Sequence, residues 1–285
     1  MTYPYKTNYI DLPGNANIAY IDEGKGARTL LFIHGLANYA LVWKKNIDYL
    51  KQYYRCIAID LPGNGLSGKN DHAFGIKFYA ESVYNFITAL KLKNLTIVGH
   101  SMGGQVSMAA VIKHPGCADS MVLCAPAGFE EFSELDKTLY ANALHVVSFI
   151  SSDEHSLRHT IESSFYGHHN QGESIITELT AIMKTYKASY YRRMLEESIK
   201  SMLDESVIGE LGQIQQPTLV IFGKQDALIP NKLIHHTTTE KIAGDAVKKM
   251  PYATLEMLAS CGHFVQWEKA DEVNGLIIRF LEEGK

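Results

Sequence analysis

Gly99-His100-Ser101-Met102-Gly103 is the stretch that most constrains what this chain can fold into. It follows the apolar run Leu95 to Val98 and opens a helix-compatible segment, Gly104 to Lys113. A strand must therefore turn directly into a helix with a serine at the apex. Glycines two residues either side of that serine let the backbone bend sharply and let strand and helix pack closely, which pushes the hydroxyl out at the top of a sheet. Such a pentad is common by chance, so its weight depends on what accompanies it.

A serine hydroxyl is a weak nucleophile near neutrality and needs a base, and the base needs an acid to fix its tautomer. Among twelve histidines, His263 stands out. It sits in Ser260-Cys261-Gly262-His263-Phe264, between the strand-like Thr254 to Leu258 and a final segment that puts Val273, Leu276, Ile277, Phe280 and Leu281 on one helical face. Asp226 is the candidate acid. It follows Thr218 to Phe222, an apolar β-branched run suited to a buried parallel strand. The preceding strand, Met121 to Ala125, runs into Pro126-Ala127-Gly128 with no carboxylate directly after it. An oxyanion would need two backbone N–H donors. Met102, after the serine, supplies one, and Leu36 in His34-Gly35-Leu36-Ala37, after Thr29 to Ile33, is the expected second.

With these residues in place the chain resembles the α/β-hydrolase superfamily over nearly its whole length. The matching pieces are His34-Gly35, the run Asp60-Leu61-Pro62-Gly63-Asn64-Gly65-Leu66-Ser67, the Ser101 pentad, the Asp226 loop and the His263 loop, in family order. The resemblance implies a catalytic triad of Ser101, Asp226 and His263, an oxyanion hole of Leu36 and Met102, and no cofactor. The tail Cys261 to Glu268 and Asp271 to Asn274 is similar to that of the meta-cleavage-product hydrolases, which cut carbon–carbon bonds. Those relatives usually carry Asn before the serine and a Gly/Pro-rich oxyanion loop, where this chain has His100 and Leu36-Ala37-Asn38. The expected activity is hydrolysis of a small or medium carboxylic ester through an acyl-enzyme. Carbon–carbon cleavage ranks second, followed by a slow-turnover ligand sensor on the same fold.

Strand-like segments at Leu30 to Ile33, Cys56 to Ile59, Leu95 to Val98, Met121 to Ala125, Thr218 to Phe222 and Thr254 to Leu258 alternate with helical ones, predicting an α/β fold with a mainly parallel twisted sheet and helices on both faces. Tyr3 to Leu12 and Ala16 to Asp22 read as an antiparallel hairpin leading into it. The alternation stops after Ala127. Residues 127–215 are too long for a plain loop and show helical spacing at Leu139, Ala143, Val146 and Val147, and at Ile175, Ile176, Leu179, Ile182, Met183 and Tyr186. They are read as a helical cap inserted in a core formed by 1–126 and 216–285. Seven basic residues stand against fourteen acidic ones over 127–210, in a chain of net charge −4, so neither cap nor core resembles a polyanion binder. The expected partner is a small-molecule substrate and not nucleic acid.

No segment reaches the roughly 18 consecutive apolar residues of a membrane span. Met1 to Ile10 lacks a secretory pattern, and Cys56, Cys117, Cys124 and Cys261 show no paired spacing. A cytoplasmic protein with free thiols is expected. The pairs His155/His159, His168/His169 and His235/His236 lack a full metal-binding pattern, so no metal is expected. His100 is expected to pack and His34 to organise the oxyanion loop. Arg192 and Arg193, beside Tyr190 and Tyr191, read as a solvated helix face. Trp43 and Trp267 read as core anchors, and Phe264 as a substrate-binding pocket wall or core residue in equal measure.

Overall fold

The computed structural model describes residues 2–139, 154–167, 172–183, 188–232 and 234–283. Eight strands form one sheet: β1 (Thr7–Leu12), β2 (Ala16–Glu23), β3 (Thr29–Ile33), β4 (Arg55–Ile59), β5 (Leu95–His100), β6 (Ser120–Cys124), β7 (Thr218–Gly223) and β8 (Ala253–Leu258). Their order is β1-β2-β4-β3-β5-β6-β7-β8. The first hairpin and the β2–β4 pair are antiparallel, and every later pair is parallel. Strands β3, β5, β6 and β7 are buried at every position, as continuous apolar runs covered on both faces must be. The two edge strands, β1 and β8, are the half-exposed ones.

The helices are α1 (Lys44–Leu50), α2 (Ile76–Ala89), α3 (Met102–Lys113), α4 (Glu154–Ser163), α5 (Glu173–Met183), α6 (Ala188–Asp204), α7 (Thr239–Val247), the single turn α8 (Val265–Glu268) and α9 (Ala270–Glu283). Helix α9 buries Val273, Ile277 and Leu281, with Leu276 and Phe280 packed at the margin, which is the face the sequence spacing picks out. Trp43 is fully buried against Phe32, and Trp267 is partly buried.

The hairpin begins later than the sequence suggests. Residues 2–6 leave the sheet because Pro4 has no N–H to donate and the tyrosines around it find partners elsewhere. Tyr3 donates its hydroxyl to Asp60 Oδ2 at 2.7 Å and Tyr5 donates to Asp48 Oδ1 at 2.8 Å. Strand β6 stops at Cys124, one residue short of the expected Ala125, because Ala125 turns into the left-handed region, φ 43°.

Asp60 is fully buried and accepts from the backbone N–H groups of Ala40 and Leu66, each at 2.7 Å, as well as from Tyr3. Burial raises its carboxyl from 3.8 to about 6, against the pull of those donors. A folded value above the unfolded one means that the folded state binds the proton more tightly. The stability this group contributes is therefore full below about pH 3.8 and is lost as pH rises through about 6. Asp60→Asn is expected to remove that slope, worth about 3 kcal/mol. Urea unfolding of both proteins at a series of pH values across this window checks it, since only the difference between them isolates the group.

Between β6 and β7 lie α4, α5 and α6. Ile175 and Ile176 are buried, while Leu139 is exposed at the end of a helical stretch over 134–139. Ala143, Val146, Val147 and Tyr186 lie outside the described residues. Helix α6 is fastened to the core by polar contacts. Ser201 Oγ accepts the Ile76 N–H at 2.7 Å and Glu205 Oε2 accepts that of Lys77 at 2.8 Å, so α2, which has no cap of its own, is capped from the segment between β6 and β7. Gln105 of α3 donates to the carbonyls of Met202 and Glu205. Among the described residues, no helix is long and apolar enough to cross a membrane.

Candidate active site

Ser101 stands between β5 and α3 with φ 53° and ψ −121°, a conformation that costs a non-glycine residue about 1–3 kcal/mol and persists only where its surroundings enforce it. They do so here through contact too close for side chains. A Cβ at Gly103 would run into the carbonyl oxygens of Ile33 and His34, and one at Gly99 into Gly103 O and Ser107 Oγ. Ser101 N–H donates to Cys124 O at 3.0 Å, and Ser101 O accepts from Gly104 and Ala127. The apex is tied to the end of β6 and the turn after it while the side chain is left at the cavity wall.

His263 and Asp226 are both buried, and His263 Nδ1–H donates to Asp226 Oδ2 at 2.9 Å. The other carboxylate oxygen, Oδ1, accepts the N–H groups of Leu228 (2.8 Å) and Ile229 (3.0 Å). With Nδ1 occupied in this way, Nε2 is the nitrogen left for the cavity. The His263 loop is held from outside the core as well. His263 N–H donates to Ser164 O at 2.8 Å, and Glu268 accepts from Gly262 N–H at 3.1 Å and Tyr166 N–H at 2.9 Å. Ser164 and Tyr166 belong to the turn after α4, between β6 and β7.

Both neighbouring histidines are structural in their bonding. Burial lowers His34 to about 4. Its Nδ1–H donates to Gly35 O at 2.7 Å and its Nε2 accepts the Leu61 N–H at 3.0 Å, which pins the turn carrying Leu36 to the loop after β4. His100 does more than pack. Burial, followed by the nearness of His263, holds it well below the usual histidine range, and its Nε2–H donates to the His263 carbonyl at 3.1 Å. Sequence reasoning placed it beside the serine without seeing that bond, because nothing in the pentad indicates which distant loop lies across from it. Met102 opens α3, so its N–H is one of the donors a helix leaves without an internal partner. Leu36 follows Gly35, where any Cβ would press on Ser101 Cβ at 3.0 Å and His100 Nδ1 at 3.1 Å.

Ser101, His263, Leu36 and Phe264 face one cavity of about 480 Å³. Phe264 is both wall and core, being buried and stacked on Phe165 at 4.5 Å. The segment between β6 and β7 contributes Ile161, Ile175, Ile199, Met202 and Leu203. Arg193 does not reach the cavity. It pairs with Asp71 and, at 3.8 Å, with Glu197, and it lies over the rings of Phe74 and Tyr190. His159 is exposed, His168 and His169 lie outside the described residues, and His235 faces Glu130.

Glu130 is a cavity residue that the sequence reading missed. Pro126 to Gly128 is free of carboxylates as expected, but two residues further on this side chain turns inward, 8% exposed. Its Oε1 accepts the Asn231 N–H at 2.7 Å. Burial, with the charge of Asp226 adding to it, pushes its carboxyl up to about 7. The available signal was a carboxylate set among Phe129 and Phe132 just past a strand end.

A family model described as alpha/beta hydrolase fold matches residues 28–270. The chain belongs to that family. It is 28% identical to 2-hydroxy-6-oxo-6-phenylhexa-2,4-dienoate hydrolase of Comamonas testosteroni, over 93% of this chain and 91% of that one. It is 24% identical to the monoacylglycerol lipase ABHD6 of Homo sapiens, over 89% of this chain and 75% of that one. A crystal structure of a probable hydrolytic enzyme from Pseudomonas aeruginosa superimposes with a TM-score of 0.85 at 21% identity, covering 99% of this chain and 96% of the other.

Proposed function

We propose that this protein is a serine hydrolase that cleaves small or medium carboxylic esters through an acyl-enzyme on Ser101. The observation that carries the reading is the 2.9 Å bond from His263 Nδ1–H to Asp226, which leaves Nε2 as the base in a cavity that Ser101 also faces. In this mechanism His263 takes the Ser101 proton as Oγ attacks the ester carbonyl, and Asp226 stabilises the resulting imidazolium. The N–H groups of Leu36 and Met102 receive the oxyanion. The intermediate collapses with His263 returning the proton to the leaving alcohol, and water then cleaves the acyl-enzyme with the same base. Residues 127–215 act as a helical cap whose apolar side chains shape the acyl site, over a core formed by 1–126 and 216–285.

Hydrolysis of p-nitrophenyl acetate, butyrate and octanoate tests this reading and sizes the acyl site. Turnover that falls off at octanoate is the expected result, and no turnover on any of the three defeats it. Carbon–carbon hydrolysis is the second reading, favoured by the Comamonas relative. Ring-fission dienoates carry a carboxylate, however, and the buried ionisable group that sequence reasoning did not place in this cavity is itself a carboxyl, Glu130. Dienoate cleavage faster than ester cleavage would reverse the order.

The His263 loop has little room to move. A Cβ at Gly262 would meet Ser164 O at 2.6 Å, Tyr166 N at 2.8 Å and Glu268 Oε1 at 2.9 Å. Gly262→Ala is expected to displace the imidazole and lower kcat by about a hundredfold, since shifts near 1 Å have that effect. The p-nitrophenyl butyrate assay, run beside a melting curve, separates this from simple unfolding.

A further inference from the structure

Glu130 is more than nine-tenths buried, yet only Oε1 is hydrogen-bonded, to Asn231 N–H at 2.7 Å. Oε2 has no hydrogen-bonding partner among the described residues. His235 Nε2 stands 3.6 Å from Oε1, too far for a hydrogen bond, and is itself buried without one. A carboxyl placed in this way at a cavity wall favours a ligand that brings a donor and disfavours an analogue that lacks one, because the latter leaves a buried polar group unpaired.

The location assigns the donor to one half of the substrate. In the ester mechanism the alcohol oxygen must lie against His263, which returns the proton to it. Asp226, Asn231 and His235 lie along one stretch of chain after β7, and Glu130 is fastened to that stretch through Asn231. The leaving alcohol therefore extends toward Glu130, while Ile175, Ile199, Met202 and Leu203 suit an acyl chain. Lys232, exposed at the rim of the same cavity, already supplies a cation there, which favours a neutral donor over a second cation.

We propose that Glu130 is the alcohol-side specificity residue of the cavity: it accepts a hydrogen bond from a free hydroxyl on the leaving alcohol, selecting esters of polyols and hydroxyalkyl alcohols over plain alkyl esters. The proposal rests on the ester reading above.

The test compares glyceryl monobutyrate with propyl butyrate, which share an acyl group and a three-carbon alcohol, in the wild type, Glu130→Leu and Glu130→Gln. The wild-type kcat/KM ratio is expected to favour the glyceryl ester by about tenfold or more, the usual worth of a hydrogen bond to a charged group. In Glu130→Leu the ratio falls to about one, and in Glu130→Gln, which keeps an acceptor oxygen, part of it returns. Each ratio is taken within one preparation, so partial loss of folded protein cancels. Equal turnover of both esters by the wild type, or a ratio that survives Glu130→Leu, overturns the proposal and leaves the ester reading standing. Turnover of neither butyrate, with none on the p-nitrophenyl esters, overturns both.

Discussion

Ser101→Ala is expected to reduce ester hydrolysis by about 10⁴- to 10⁶-fold, leaving the residual rate that binding and oxyanion donors supply without a nucleophile. The fold should survive. The strained backbone at position 101 is enforced by Gly99, Gly103 and the bond to Cys124 O, none of which involves the hydroxyl. A circular dichroism spectrum and melting temperature close to the wild type, with p-nitrophenyl butyrate turnover reduced to that residual rate, is the anticipated pair of results. Turnover within tenfold of the wild type would show that another group attacks the carbonyl.

Asp226→Asn is the more discriminating substitution, with an expected loss of about 10⁴-fold in kcat. The asparagine carbonyl can still accept from the N–H groups of Leu228 and Ile229, so the loop keeps its shape. Its amide nitrogen would then face His263 Nδ1 as a donor. The imidazole must accept there and carry its proton on Nε2, where it cannot take a proton from serine. The damage lies in the tautomer, and substrate binding should change little. A modest fall in kcat would remove Asp226 from the mechanism and reopen the assignment of the acid.

The parts of this fold that were legible in the sequence are those fixed by local chemistry. Continuous β-branched runs gave the buried parallel strands because nothing polar interrupts them, and observed strand ends differ from the expected ones by one or two residues, as where pairing continues through Gly99-His100. The Ser101 turn was legible because only glycine tolerates the contacts on either side of it. What escaped depends on residues distant in sequence. Tyr3 leaves the hairpin for a carboxylate 57 positions away. His100 reaches the carbonyl of a residue 163 positions on, and Glu130 enters the cavity because Asn231, 101 positions later, offers it an N–H. No periodicity within a window of a dozen residues encodes such pairings.

The bond from His263 N–H to Ser164 O has a consequence for how such proteins diversify. A segment inserted between β6 and β7 would seem a module that recombination could exchange freely, trading one substrate range for another. In this chain the exchange is constrained, because the turn 164–166 also holds the backbone of the histidine loop, with Phe165 stacked on Phe264 between the two bonds. A chimera that imports a foreign insertion without an equivalent of Ser164-Phe165-Tyr166 inherits a new pocket and a misplaced imidazole together. Variation in this lineage should therefore concentrate in the side chains of α5 and α6, with that three-residue turn retained as the joint through which any new specificity must pass.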